Sequence, residues 1–229
     1  MPSLGDVARF FSTLTIADIL LGLIVTGSIL ILVADWRISL GALAVQYLIV
    51  TVLLSTIVQL EVALVRLIAG GLVAVILYIT AVRVRSRWMR RARIAGWKNV
   101  GEIAALFERE PFIISWPFRL IALVLVGLTV VTACTQFAFP NAPLLFWLVC
   151  LWLCTIGLLL CAITRDALKV GVGILTFSAG FGALYLAIEP NLLFYGLLLI
   201  SDLVVALAVA HLASAPVRAS QPARRRGES

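Results

Sequence analysis

Residues 38–82 read ISLGALAVQYLIVTVLLSTIVQLEVALVRLIAGGLVAVILYITAV, a nearly uninterrupted apolar stretch of 45 residues. As one helix it would be about 67 Å long, whereas the hydrocarbon core of a bilayer is about 30 Å thick and takes about 20 residues to cross. Polar residues gather once inside the stretch, around Gln59 and Glu61. We therefore predict two membrane-spanning helices that are separated at residues 59–61.

The composition of the whole chain agrees with a membrane protein. Of its 229 residues, 63% are hydrophobic and 13% are charged, whereas soluble domains have roughly 45–50% apolar and about 25% charged residues. So few charges could not cover a water-facing surface, which excludes a soluble globular domain. Disorder is excluded as well, because disordered chains are poor in the residues that abound here.

The apolar runs predict an all-α, polytopic integral membrane protein with about seven transmembrane helices. These runs lie at residues 16–34, 38–58, 62–82, 118–139, 144–163, 168–188 and 191–213. They divide the chain into a three-helix N-terminal segment (1–82), a basic loop (83–117), a four-helix segment (118–213) and a flexible basic tail (214–229). We expect no cleavable signal peptide, because no positively charged region and cleavage site precede the first run.

The basic residues set the orientation of these helices. The formal net charge is +7, and sixteen of the 18 Lys and Arg residues fall in the loops and tail of one side when the chain has seven spans. Because positive loops stay in the cytoplasm, we predict that the N-terminus faces out and the C-terminus faces in. Charges that flank apolar runs in this way are topology signals, so we expect no nucleic-acid partner.

The basic loop, 83–117, has its own helical pattern. Asn99 and Glu102 form a capping-box pair, and Val100, Ile103 and Phe107 then recur at helical spacing. Two interpretations stay open: an amphipathic helix that lies in the headgroup region of the bilayer, and a docking surface for a cytoplasmic partner.

No motif in the sequence indicates catalysis or a cofactor. The four cysteines lie inside apolar runs, without CxxC spacing and without His or carboxylate neighbours, which favours packing over metal binding. Phosphate-binding glycine loops, nucleophile elbows and zinc motifs are absent from the sequence. We therefore expect no metal site, no cofactor and no catalysis by this chain alone. The cysteines are Cys134, Cys150, Cys154 and Cys161.

Ionisable residues within apolar runs are the candidates for a proton path, because each is costly in hydrocarbon unless it is paired or hydrated. Asp202 lies halfway along the last run. Three roles stay open for this residue: it handles a proton or ion, it forms a structural hydrogen bond or ion pair with another subunit, or it is an incidental neutral acid. Glu61 and Arg66 lie near the outer end of the third run, where a structural pair is slightly favoured over conduction. His211 lies on the helix of Asp202, about 13–14 Å further along its axis, and reads as an interfacial residue.

The sixth run is rich in small residues, which allow helices to approach closely. Ser178 and Gly182 form a small-xxx-small pair, and a second pair, Ala179 and Ala183, lies on the adjoining face. We therefore predict tight helix packing on several sides of this helix. Its packing residues are Gly171, Gly173, Ser178 and Gly182.

Two segments carry a resemblance to a known family. The segment ADWRISLGALAVQYLIVTVLL (34–54) resembles the early helices of hydrogenase-4 membrane component E. The segment 165–212, with Glu189-Pro190-Asn191 before a helix that bears Ser201-Asp202, resembles the last two helices of that family. Those helices are similar in turn to the K subunit of respiratory complex I and the C subunit of multisubunit cation/proton antiporters.

The resemblance implies a multi-pass subunit of a complex-I-like, energy-converting oxidoreductase in a prokaryotic plasma membrane. It also implies antiporter-like membrane subunits as partners and a place for Asp202 in a proton path. The chain departs from the family at two positions. Where the family has a carboxylate in the preceding helix, this chain has Gly173 or Thr176, neither of which is ionisable. Where the family has a basic residue in the third helix, this chain has the uncharged residues 70–72, and its nearest basic residue, Arg66, is displaced from that position.

Three functions follow as hypotheses. The first is a proton-path or scaffolding subunit of an oxidoreductase complex in which partner subunits hold all the redox cofactors. The second is a structural membrane anchor that docks a soluble partner through the basic loop. The third is a small autonomous transporter, which the sequence disfavours because it has no inverted repeat and few central polar groups.

Overall fold

The computed structural model describes residues 16–33, 35–55, 58, 60–94, 115–136, 143–189 and 191–214, without the side chains of 16, 17, 60 and 87–94. This part of the chain is all-helical, which confirms the predicted fold class. Its seven helices are α1 (Ile16–Leu32), α2 (Trp36–Ser55), α3 (Leu60–Ile94), α4 (Trp116–Gln136), α5 (Leu144–Ile163), α6 (Ala167–Ile188) and α7 (Leu192–Ser214).

Six of these helices are long and apolar enough to cross a membrane. The described part of α1 has 17 residues, slightly short of that length. The 45-residue stretch is divided as predicted, because α2 ends at Ser55 and α3 begins at Leu60. The predicted helix around 99–107 and the tail lie outside the described residues, and the orientation in the membrane stays a prediction.

The helix α3 differs from its apolar run, because it continues from Val82 to Ile94. Arg83 and Arg85 on this extension are exposed. Arginine has a high helix propensity, so the helix continues where hydropathy ends. The first part of the basic loop is therefore a continuation of a transmembrane helix.

Short polar side chains start three of the helices where the sequence places its breaks. Each accepts a hydrogen bond from the backbone amide two residues further on: Asp35 from Arg37 at 3.0 Å, Asp166 from Leu168 at 3.3 Å, and Asn191 from Leu193 at 3.1 Å. These N-caps satisfy amides that the first turn of a helix leaves without partners.

Four helices, α2, α3, α7 and α6, pack in that order into a ring, in which α6 packs again on α2. The helix α5 packs on the outer side of α6 and on α1, and α4 lies at the edge against α5. The buried face of α7 consists of Tyr195, Leu199, Asp202, Ala206 and Val209. These residues are spaced alternately by four and three positions, which places all of them on one side of a helix.

The outward faces of the helices are apolar. Leu193 on α7 is 78% exposed and Val124 on α4 is 69% exposed, within long series of exposed Leu, Ile and Val side chains. An apolar surface of this extent is what a lipid-facing protein presents. The structure therefore supports the assignment to a membrane.

The closest helix packing joins α5 and α6. A Cβ atom added to Gly157 would lie 2.5 Å from the backbone nitrogen of Phe177 and 2.6 Å from the carbonyl oxygen of Gly173. On its other sides α6 meets α7, where a Cβ on Gly171 would lie 2.6 Å from Val209. Backbones this close need glycine at the contact.

We expect Gly157→Ala to lower the free energy of unfolding by about 1–3 kcal/mol, because the added methyl group forces two backbones apart. Thermal unfolding in detergent, followed by circular dichroism, measures the change. Gly41→Ala is the matched control, since a Cβ at Gly41 meets nothing within 4 Å. Equal stability of the two variants would contradict the assigned contact.

Candidate functional site

A cluster of polar side chains lies inside the ring of α2, α3, α6 and α7. Six of its members are at most 3% exposed, and Ser178 is half-buried. All four helices contribute, so the cluster exists only when the ring is assembled. We refer to the following residues as the ring cluster: Gln46, Tyr47, Arg66, Thr176, Ser178, Tyr195 and Asp202.

Arg66 is the central cation of the ring cluster and is 1% exposed. Its Nη1 donates a hydrogen bond to the hydroxyl oxygen of Tyr195 at 3.4 Å. Its guanidinium carbon lies 5.6 Å from the ring centroid of Tyr47 and 5.9 Å from that of Tyr195. Such cation–π contacts stabilise a desolvated cation, so two aromatic rings replace part of the water that Arg66 loses.

A glycine makes room for this arrangement. Gly182 of α6 lies beside Arg66, where a Cβ would be 3.6 Å from Nη1, an ordinary contact distance. On α3, a Cβ on Gly70 would lie 2.7 Å from the ring of Tyr47, so glycine is required for that ring to lie against the helix. The phenol ring can therefore reach the guanidinium one turn away.

Asp202 is the buried acid of the ring cluster, at 3% exposure. The hydroxyl of Ser178 donates a hydrogen bond to its Oδ1. Asp202 and Arg66 attract each other electrostatically, but no direct hydrogen bond joins them, since Nε and Nη2 of Arg66 have no partner among the described residues. The cation and the acid therefore belong to one buried cluster without a direct hydrogen bond.

A second polar contact lies between α2 and α6. The hydroxyl of Thr176 donates to Oε1 of Gln46 at 3.3 Å, where both side chains are buried. Within the described part of the chain, Nε2 of Gln46 and the hydroxyl of Tyr47 have no hydrogen-bond partner. The ring cluster thus contains polar groups that no protein partner satisfies among the described residues.

The structure does not bring Glu61 and Arg66 together. Glu61 is exposed, and among the described residues the Arg66 guanidinium donates its hydrogen bond to Tyr195. Five positions on a helix rotate the side chain by about 140°, so Glu61 faces outward when Arg66 faces the ring.

His211 also lies apart from the ring cluster. It is exposed, and nine positions from Asp202 amount to a rotation of about 180°, which directs the two side chains to opposite sides of α7. The structure does not bring His211 and Asp202 together.

The sequence predicted the position of Asp202 halfway along α7 but not its neighbours. Tyr47, Gln46 and Tyr195 were not among the predicted site residues, although all three line the ring. One signal was present, since Tyr195 precedes Asp202 by seven positions, which is two helical turns on the same face. No comparable spacing in the sequence indicates the partners on α2, because the spacing of residues within one helix does not show which other helix packs against it.

A second group of charged residues lies at the other end of the bundle. Lys169, at the start of α6, donates a hydrogen bond from Nζ to the carbonyl oxygen of Val33, at the end of α1. Asp35, Arg119 and Asp166 interact electrostatically with it. The C-terminal end of α1 and the N-terminal ends of α4 and α6 therefore meet on one face of the bundle.

The cysteines lie in helix contacts. The thiol of Cys161 donates to the carbonyl oxygen of Val170 at 3.5 Å, and that of Cys154 to Phe177 at 3.8 Å. Among the residues with described positions, no three His, Cys, Asp or Glu side chains are grouped as a metal site would need.

The apolar outer surface, the long helices and the buried ring cluster define a polytopic α-helical membrane protein. No family model, no curated protein and no solved structure matches the chain.

We expect Arg66→Met and Asp202→Asn to be coupled in a double-mutant cycle. Either variant leaves one charged group buried opposite a neutral one, whereas the double variant removes both, so the interaction energy should reach about 0.5–3 kcal/mol. Unfolding titrations of the reconstituted chain measure it. In the control cycle Glu61→Gln replaces Asp202→Asn and should be additive; additivity in both cycles would contradict the electrostatic coupling.

Burial raises the pKa of Asp166 above its usual value, although the Leu168 amide and Lys169 lower it in part. The folded protein then binds this proton more tightly than the unfolded chain does, so the residue contributes most stability below about pH 4 and loses it as the pH rises through the folded pKa. Asn also caps helices well, so Asp166→Asn keeps the cap and removes this loss.

We therefore expect the stability of Asp166→Asn, relative to the unmodified protein, to increase from about pH 4 to about pH 7. Thermal unfolding at a series of pH values measures it. A difference that stays constant over this range would show that the carboxyl does not titrate differently in the folded state.

Proposed function

We propose that this chain is a non-catalytic membrane subunit of a complex-I-like, energy-converting oxidoreductase of the hydrogenase-4 or formate hydrogenlyase type. In this proposal the redox cofactors and the redox chemistry belong to partner subunits in a prokaryotic plasma membrane. The ring cluster forms part of a path for protons, with Asp202 as the group that takes up and releases the proton.

The observation that carries the proposal is the burial of Asp202 and Arg66 in one enclosed polar cluster at the interior of an apolar bundle. A carboxyl and a guanidinium at membrane depth cost several kcal/mol each unless they are compensated, and apolar residues would fill the same space at no such cost. Ionisable groups retained at this depth are typical of proton relays. The resemblance of residues 165–212 supports the same role for Asp202.

The composition of the cluster favours protons over larger solutes. Its lining consists of hydroxyls, one amide, one carboxyl and one guanidinium, with the aromatic rings of Tyr47 and Tyr195 packed against Arg66. Tyr195 is 2% exposed and belongs to an apolar cluster. Enclosure of this kind suits exchange of a proton between hydrogen-bonded groups and disfavours passage of a solute.

We expect Asp202→Asn to leave the complex assembled and to abolish its proton-coupled activity, because the amide keeps the shape of the carboxyl but does not take up a proton. Oxidoreductase turnover and proton uptake in proteoliposomes of the purified complex measure the effect. Ser201→Ala and Glu61→Gln are matched controls, since both residues are exposed and lie outside the ring cluster. Full coupling in Asp202→Asn would overturn the proposed proton role.

A second variant distinguishes the proposed proton path from the alternative, a structural membrane anchor. If Asp202→Leu releases the partner subunits, as mass spectrometry of chains that co-purify in mild detergent would reveal, the anchor is favoured. If the unmodified chain purifies as a homogeneous solitary protein, both complex-based functions fail.

A further inference from the structure

Within the part of the chain that the structure describes, the ring cluster leaves strong hydrogen-bond donors without protein partners. These are Nε and Nη2 of Arg66, the hydroxyl of Tyr47 and Nε2 of Gln46, on side chains that are at most 3% exposed. Buried polar atoms in folded proteins are nearly always hydrogen-bonded, to protein or to ordered water. Unpartnered donors from three adjoining residues on α2 and α3 therefore point to an acceptor that is not part of the chain.

The geometry of Arg66 directs this acceptor to one side of the guanidinium. Nη1 is bonded to Tyr195, whereas Nε and Nη2 present the side edge, from which two N–H bonds project in parallel. The ring centroid of Tyr47 lies 5.6 Å from the guanidinium carbon of Arg66. Ser178, which binds Asp202, lies one helical turn from Gly182, and a Cβ on Gly182 would be 3.6 Å from Nη1 of Arg66. The unbonded edge of Arg66, the Tyr47 hydroxyl and the Asp202 carboxyl thus lie around one region inside the ring.

The charges around this space decide its occupant. A cation would be repelled by Arg66, and a second anion would be repelled by Asp202. Water suits both neighbours, because its oxygen accepts from Arg66 or Tyr47 while its hydrogens donate to a carboxylate. A buried water molecule typically makes about three hydrogen bonds, and this space offers partners of both kinds.

We infer that Arg66 and Tyr47 bind an ordered water molecule against Asp202, so that cation and acid are joined through water rather than by direct contact. Arg66 and Tyr47 are then positioning residues, which fix the water that exchanges protons with Asp202. Only this use of the water rests on the proposed function; the binding site itself follows from the unpartnered donors.

Hydroxyl-radical footprinting by X-ray radiolysis in ¹⁸O-water tests the site on the full chain in lipid nanodiscs. Radicals form from bound water and oxidise the side chains next to it. We expect ¹⁸O incorporation at Tyr47 to be at least about tenfold faster than at Phe146, because only Tyr47 would contact ordered water. Phe146 is the matched dry control, since it is 1% exposed inside an apolar cluster.

Labelling of Tyr47 as slow as that of Phe146 would overturn the inference. A saturable loss of Tyr47 labelling on adding chloride or bicarbonate, with gluconate as the reference anion, would overturn it as well, because an anion would then fill the space. Arg66→Met should slow the labelling of Tyr47 severalfold. Unchanged labelling in a folded variant counts against the site.

A spectroscopic measurement keeps the test decisive if Arg66→Met does not fold. The infrared carboxyl band of Asp202, assigned by its loss in Asp202→Asn, should shift in Tyr47→Phe and stay unchanged in Tyr185→Phe. An identical band in both variants contradicts a positioning role for Tyr47. A confirmed water site with full proton coupling in Asp202→Asn would refute the proposed function alone.

Discussion

The compensation of one buried guanidinium is the constraint on which the centre of the bundle depends. Arg66 has five N–H donors and a permanent charge, and it lies 1% exposed in a bundle with an apolar outer surface. Two aromatic rings, a phenol oxygen and the field of Asp202 surround it. These groups come from α2 and α7, so the charge on α3 is compensated only when the three helices meet.

Small residues make that meeting possible. Gly70 admits the ring of Tyr47 against α3. Outside the ring, Gly157 and Gly173 bring α5 and α6 into backbone contact. Without a hydrophobic effect between helices in lipid, close packing and polar contacts supply the specificity of association. In this protein the two occur side by side, on the inner and the outer face of α6.

The ends of the helices follow a different physical rule from the centre. Asp35, Asp166 and Asn191 cap their helices locally, and Lys169 binds the carbonyl of Val33, the residue after α1, from another helix. Each contact satisfies a backbone group that a helix end leaves unpaired. These residues therefore stabilise helix ends, whereas the ring cluster places buried charge between helices, where no backbone group requires it.

The sequence by itself determined the helices, their breaks and the position of Asp202 along α7, because hydropathy, capping and position along a helix are local properties. The apolar run did not predict the continuation of α3 to Ile94, because residues of high helix propensity follow the end of that run. Only the tertiary structure decided which way each side chain faces and what it meets. Glu61 and His211 are close to ring residues in sequence but are rotated away from them, whereas Tyr47 and Tyr195 are far from Arg66 in sequence and contact it. The physical reason is that the rotation of a helix about its axis is fixed by packing against its neighbours, which a run of apolar residues with weak amphipathicity does not specify.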